Sequence, residues 1–203
     1  MSSLSPHQQE GFLDPKLQVW IIPVLPGEHK IVGPDTHLGS VAIQTLLGSC
    51  VAACIRDTEN GFGGLNHFLL PSDSGAQSGM ASSRYGVHAM ELLINSMLKS
   101  GSLKSNLEAK VFGGANVLKN VTGDSIGEKN AQFVMDYLNA ENIPVAAADL
   151  GGSRARKVFY FPLTGRVLVQ NLTQAVGKNA FELERSYQRK LPEKPVAGPI
   201  DLF

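Results

Sequence analysis

The sequence is poor in cysteine, tryptophan and charge. Its 203 residues include two cysteines and one tryptophan, and charged residues make up 18% of the chain. The 18 basic and 18 acidic residues cancel, whereas a nucleic-acid-binding domain usually has a basic face and a high pI. No apolar run reaches the roughly 18 residues of a membrane span, and residues 1–10 lack the pattern of a signal peptide. We therefore predict a cytoplasmic protein that is not embedded in a membrane and does not bind nucleic acid.

The two cysteines, Cys50 and Cys54, are spaced as C-x-x-x-C. On an extended strand their Cα atoms would lie roughly 13 Å apart, beyond the limit of about 7 Å for a disulfide. The spacing also differs from the C-x-x-C pattern of redox and zinc sites, and the histidines show no ligand spacing to one another. We predict two free thiols in a reducing compartment, with no metal ion and no organic cofactor.

The length of the chain predicts one domain with a tail at each end. Residues 1–15 are polar with two prolines, and residues 185–203 are charged with three prolines. Both stretches are predicted to be flexible tails, and residues 16–184 are predicted to form the domain. Hairpin signals mixed with two isolated helices favour the α+β class over a regular βαβ repeat.

Short apolar and β-branched runs bounded by turn residues predict eight strands. They cover 18–24, 41–47, 50–55, 63–71, 109–112, 144–150, 157–161 and 166–170. Apolar residues at helical spacing predict helices over 84–100 and 127–140. Residues 25–39 are a predicted loop, and residues 72–83 are a second one that ends in a helix-capping serine.

Cys50 and His67 are the strongest candidates for chemistry. A thiol becomes a nucleophile only as thiolate, and a nearby imidazole can take its proton. The strands over 50–55 and 63–71 form a predicted hairpin. A two-residue turn would place Cys54 opposite His67, whereas a longer loop would place Cys50 there. The hairpin predicts a cysteine–histidine pair without choosing the cysteine, although the small apolar neighbours of Cys54 favour a core position.

Gly48 and Ser49 come directly before Cys50. A glycine before the thiol lets the backbone approach a substrate closely. Consecutive backbone N–H groups at such a turn can stabilise an oxyanion. We predict that this turn supplies the oxyanion donors of the site.

Six segments together resemble the CheD family, the chemoreceptor glutamine deamidases of bacterial chemotaxis. The resemblance covers about residues 18–172, and the segments follow in one order at 47–52, 64–71, 84–86, 110–116, 126–130 and 149–154. It implies a mixed β-sandwich flanked by helices, with a cysteine-hydrolase fold similar to that of deamidating toxins.

The resemblance also implies a protein-glutamine glutaminase. Such an enzyme converts glutamine side chains in the cytoplasmic domains of chemoreceptors to glutamate and releases ammonia, without a cofactor. Carried over by position, Cys50 is the nucleophile and His67 the base. The third family member is a threonine just upstream of the Gly-Ser-Cys motif. Thr45 is the nearest candidate, although some members place the threonine where this chain has Gln44.

Two other interpretations remain open from the sequence. Proteins of this family in some bacteria bind CheC, a phosphatase of the response regulator, so the chain is alternatively a binding module that needs no thiol. In a third interpretation, Cys50 and His67 are structural and the chain is an inactive homologue. The intact Gly-Ser-Cys and Asn-His-Phe segments argue against that one. Hydrolysis of methyl esters at the same thiol is chemically close to deamidation.

Overall fold

The computed structural model describes residues 11–35, 40–71, 78–116, 125–173, 177, 182–187 and 189. The strands are β1 (Phe12–Asp14), β2 (Val19–Pro23), β3 (His29–Val32), β4 (Val41–Leu47), β5 (Val51–Asp57), β6 (Gly63–Phe68), β7 (Leu107–Gly113), β8 (Val145–Leu150), β9 (Arg156–Phe161) and β10 (Arg166–Asn171). The helices are α1 (Ser78–Lys99) and α2 (Ile126–Ala140), and a short 3-10 helix covers Lys104–Asn106. No helix in these ranges is long and apolar enough to cross a membrane.

The strands form two mixed five-stranded sheets. The first has the order β1-β2-β4-β9-β10 and the second the order β3-β6-β5-β7-β8. Each contains one parallel pair, β2 with β4 and β7 with β8, and is otherwise antiparallel. The α+β class predicted from the sequence is confirmed, and the two sheets give a sandwich-like fold.

Two of the three clusters of buried apolar side chains lie on either side of the second sheet. Side chains alternate along a strand, so Ala52 and Cys54 of β5 face the first sheet and pack near Ile43. Val51, Ala53 and Ile55 of the same strand face α1 and α2. Strand β5 is thus buried on both faces, which explains its continuous apolar sequence.

All eight predicted strands are present, with shifts of a few residues at their ends. Strand β3 lies inside the predicted loop 25–39, so that part of the prediction was wrong. Its pairing with β6 at the edge of the second sheet makes this short, polar segment a strand. Helix α1 begins at Ser78, so the prediction that a serine near residue 83 caps it was also wrong.

Both predicted tails contain residues with regular structure. Strand β1 lies in the stretch 1–15 and pairs with β2. Residues 182–187 are helical and run into the stretch 185–203. Residues 1–10 and 190–203 lie outside the described residues.

The β5–β6 hairpin has a register that neither sequence alternative gave. Ala52 is the residue opposite His67, so the expected facing of His67 by Cys54 or by Cys50 was wrong. The reason is the turn at Asp57, whose carboxylate accepts hydrogen bonds from the backbone N–H groups of Glu59 (3.0 Å) and Asn60 (2.8 Å). An aspartate that bonds to its own turn in this way fixes the loop length and hence the register.

Candidate active site

Three elements bring Thr45, Cys50 and His67 together between the two sheets. Thr45 lies on β4 of the first sheet, Cys50 immediately precedes β5, and His67 lies on β6 of the second sheet. Cys50 Sγ, a ring nitrogen of His67 and a carboxylate oxygen of Glu184 all lie within 4.8 Å of one another. All four side chains are buried. The chain crosses from one sheet to the other at Gly48 and Ser49, so the turn before the thiol is also the link between the sheets.

Neighbouring elements fix the backbone of this crossing. The carbonyl of Cys50 accepts a hydrogen bond from Gly114 N–H (2.7 Å). The carbonyl of Ser49 accepts one from the Asn130 side chain on α2 (2.8 Å). Gly113 has φ 112°, and a Cβ there would meet the carbonyl oxygen of Cys50. Gly113 therefore allows the end of β7 to lie close against the backbone of Cys50.

The hydroxyl of Thr45 determines which ring nitrogen of His67 carries the proton. Thr45 Oγ1 donates to the carbonyl of Val24 (2.7 Å) and lies 2.7 Å from His67 Nδ1. Because its one proton is used on Val24, the hydroxyl accepts from Nδ1–H of the neutral ring. Nε2 then keeps its lone pair, and it has no hydrogen-bond partner among the described residues. His67 can therefore accept a proton at Nε2.

Burial lowers the pKa of His67 to about 4, although the charge of Glu184 and the carbonyl of Val24 act in the opposite direction. Burial raises the pKa of Cys50 well above its usual value, and the charge of Glu184 and its hydrogen bond to the thiol raise it further. At neutral pH this arrangement holds a neutral imidazole beside a protonated thiol.

The buried His67 predicts a fall in stability on mild acidification. Between pH 6.5 and about 4 the ring stays neutral in the folded protein, whereas a histidine in the unfolded chain binds a proton below about pH 6.5. The unfolded state then holds more protons, so the free energy of unfolding falls as the pH drops through this window, by up to about 3 kcal/mol. Urea unfolding at pH 7 and pH 4.5 measures the change. A His67→Gln variant should show little of this difference in the free energy of unfolding between the two pH values. The same difference in the variant and the wild type would contradict the conclusion that the buried, neutral His67 causes it.

Cys54 is a core residue. It lies opposite Leu65 and is buried between the sheets, so the expectation of a core position is confirmed. Burial raises its pKa far above the usual value, and Lys110 offsets this only in part.

Glu184 is a fourth member of the cluster that the sequence did not reveal. One carboxylate oxygen accepts hydrogen bonds from the backbone N–H groups of Gly48 (2.6 Å) and Cys50 (3.2 Å). The other accepts from the backbone N–H (3.0 Å) and the hydroxyl (2.8 Å) of Ser49. Three consecutive backbone N–H groups thus bind one anionic group, at the turn predicted to supply oxyanion donors. A Cβ on Gly48 would lie 3.0 Å from this carboxylate, so the glycine allows the close approach.

The cluster suits an anion better than a metal ion. Cys50, His67 and Glu184 are close enough to share a metal. However, the carboxylate of Glu184 already accepts four hydrogen bonds, which is about its full capacity. A cation would have to displace the backbone donors, which themselves attract negative charge.

A thiol, a proton acceptor and converging backbone donors are the groups that thiol-dependent hydrolases use. The sequence profile of a family described as "CheD chemotactic sensory transduction" matches residues 69–171. A Thiobacillus denitrificans protein named "Probable chemoreceptor glutamine deamidase CheD" is 51% identical over 183 residues, which cover 89% of this chain and 88% of that protein. A Dechloromonas aromatica protein named "Probable chemoreceptor glutamine deamidase CheD 1" is 45% identical over 192 residues, 95% of this chain and 93% of that protein.

The chain belongs to the CheD family, as the six sequence segments indicated. Among solved structures, the Bacillus licheniformis hypothetical protein YfiH is similar over 53% of this chain and 46% of that one, with 14% identity and a TM-score of 0.33.

Proposed function

We propose that the protein is a protein-glutamine deamidase, a hydrolase that converts glutamine side chains of chemoreceptors to glutamate in bacterial chemotaxis. The observation that carries the proposal is the Cys50 thiol, which lies within 4.8 Å of a His67 ring nitrogen and beside an anion-binding turn. Membership of the CheD family and the names of its relatives support the same activity. The substrate would be the cytoplasmic part of a receptor, and the two free thiols suit that reducing compartment.

In the first half of the proposed reaction, Nε2 of His67 accepts the thiol proton and Sγ of Cys50 adds to the carboxamide carbon of glutamine. Thr45 holds the ring in the required tautomer. Backbone N–H groups of Gly48 and Ser49 stabilise the developing oxyanion. The imidazolium then donates its proton to nitrogen as the C–N bond breaks, so that ammonia leaves and a thioester remains.

Water completes the proposed reaction. His67 accepts a proton from water, whose oxygen adds to the thioester carbon. The C–S bond breaks, the thiol of Cys50 regains a proton, and glutamate is released. One water is consumed and one ammonia is produced for each glutamine, without a change of oxidation state.

We also propose that the sandwich is a cysteine-hydrolase fold similar to that of deamidating toxins. Support comes from the order of the elements, with the thiol at the entry to β5, the histidine on the adjacent β6 and the threonine on the facing sheet. A CheC-type phosphatase as partner stays a prediction of the family resemblance.

Ammonia release tests the proposed activity. The protein incubated with the cytoplasmic fragment of a chemoreceptor should release one ammonia for each glutamine converted, as measured by a coupled assay. A fragment in which every glutamine is replaced by glutamate is the matched control and should give none. Equal ammonia from both fragments would contradict the proposal.

Replacing Thr45 with valine is expected to lower kcat by roughly 10- to 100-fold and to leave KM nearly unchanged. The valine keeps the shape of the side chain but removes the acceptor for Nδ1–H, a hydrogen bond worth about 1.5–3 kcal/mol when it supports a charged ring. Thr45→Ser retains the hydroxyl and should recover most of the loss. Equal kcat values for the valine and serine variants would show that the hydroxyl does not position His67.

A further inference from the structure

A short segment near the carboxyl end of the chain lies in the candidate active site. Residues 182–187 are helical, and Glu184 is only 2% exposed while its neighbour Leu183 is 46% exposed. Glu184 is therefore inserted into the protein, and its carboxylate accepts four hydrogen bonds from the turn before the thiol. Leu183 lines a cleft beside His67.

We propose that residues 182–187 occupy the substrate site as an internal mimic of the reaction product, with the carboxylate of Glu184 in the position of the newly formed glutamate. This inference rests on the proposed deamidase function. Glutamate is the product of that reaction. When it forms, its carboxylate would be bound by the same backbone N–H groups that stabilised the oxyanion. The backbone N–H groups of Gly48, Ser49 and Cys50 bind the Glu184 carboxylate in this way.

The contacts also indicate what kind of segment the site accepts. Tyr187 lies three residues after Glu184, and residues at this spacing share one face of a helix. Its hydroxyl is hydrogen-bonded to the hydroxyl of Tyr85 on α1. It also packs on Gly27, where a side chain would collide with the ring. The site thus fits a helical segment that presents a glutamine and, one turn later, an aromatic side chain.

Occupation by Glu184 would keep the enzyme in a resting state. The carboxylate is bound to the backbone N–H groups that would stabilise the oxyanion. A substrate carbonyl therefore cannot bind to them until the segment leaves. Its negative charge beside Cys50 also disfavours the thiolate. A receptor segment must therefore displace residues 182–187 before the thiol can react.

A single substitution turns the mimic into a substrate. In Glu184→Gln, Sγ of Cys50 should add to the side-chain carboxamide, ammonia should leave, and water should release glutamate from the thioester. Peptide mass spectrometry should show residue 184 converted, with a mass increase of about 1 Da. The double variant Cys50→Ala with Glu184→Gln should keep its glutamine. Glu182→Gln, an exposed change in the same helical turn, is the matched control and should also stay unconverted.

Removal of the mimic should raise activity. Glu184→Ala is expected to increase the rate of Cys50 alkylation by iodoacetamide and the initial rate of deamidation of a receptor fragment, each by about tenfold or more. The reason is that no carboxylate has to leave the site before the reagent or the substrate can enter. The Glu182→Ala control should match the wild type. Circular dichroism would check that each variant is folded.

The outcomes separate this inference from the proposed function. Glutamine that persists at residue 184 in a variant that still deamidates the receptor overturns the product-mimic assignment and leaves the function standing. Conversion at residue 184 without conversion of any receptor supports the mimic and overturns the receptor as substrate. Absence of both conversions overturns the two together.

Discussion

Replacing Cys50 with alanine is expected to lower deamidation of a chemoreceptor fragment by roughly 10⁴-fold or more, because no other group can replace the nucleophile. The fold should survive, because the change removes only the side-chain sulfur. Hydrogen bonds from Gly114 and Asn130 still hold the backbone at this position. The measurement is the rate of glutamate formation, followed on the purified receptor fragment.

Cys54→Ala is the matched control for this experiment. Cys54 is buried to a similar extent, but it lies outside the cluster of Cys50, His67 and Glu184. Its loss should cost about 1 kcal/mol of stability through a small cavity and leave the rate nearly unchanged. Activity that survives in Cys50→Ala and disappears in Cys54→Ala would move the chemistry to the second thiol. Activity that survives in both would remove the thiols from the mechanism.

Replacing His67 with glutamine is expected to lower kcat by about 10²- to 10⁴-fold, the usual loss when a general acid–base group is removed. Glutamine is similar in size but cannot accept the thiol proton at neutral pH. Alkylation of Cys50 by iodoacetamide should also slow and should rise only at a pH where the thiol ionises unaided. This second readout separates lost proton transfer from a general disturbance of the site.

His29→Gln is the control for the histidine experiment. His29 lies on β3 opposite Asn66, and its Nε2 contacts the hydroxyl of Ser96 on α1 at 3.0 Å, so its ring is hydrogen-bonded to the helix and is not part of the cluster of Cys50, His67 and Glu184. The variant should deamidate at nearly the wild-type rate. Equal losses in the His67 and His29 variants would mean that His67 acts through structure rather than proton transfer.

The strands and helices were largely predictable because their signals are local. The run Val41–Leu47 is β-branched and apolar since β4 is buried between other strands. The apolar residues Met90, Leu93 and Met97 recur at helical spacing because one face of α1 packs on the second sheet. Strand β3 was missed because its sequence, His29–Val32, has no such signal and pairs only at a sheet edge.

The register of the β5–β6 hairpin could not be read from the chain. It depends on the loop that Asp57 closes, and the same carboxylate also accepts a hydrogen bond from the backbone of Leu103 (3.0 Å). That partner lies 46 residues away in the sequence. The predicted pairing of a thiol with His67 therefore needed the family motifs to choose between Cys50 and Cys54.

Glu184 gave no sequence signal at all. It lies 134 residues from Cys50, at the end of the predicted domain. The surrounding stretch is charged, so a glutamate there matches no motif and does not indicate a site. Only the folded chain brings its carboxylate to the turn at Gly48. A contact between residues this far apart in the sequence can be identified only from the three-dimensional structure.

The most direct test of the deamidase account is peptide mass spectrometry of a chemoreceptor cytoplasmic fragment after incubation in water labelled with oxygen-18. Hydrolysis of a Cys50 thioester by this water should convert specific glutamines to labelled glutamates, each heavier by about 3 Da. The same fragment with Cys50→Ala should keep its glutamines. Unchanged glutamines with the wild-type protein, or equal labelling by the wild type and Cys50→Ala, would contradict the account.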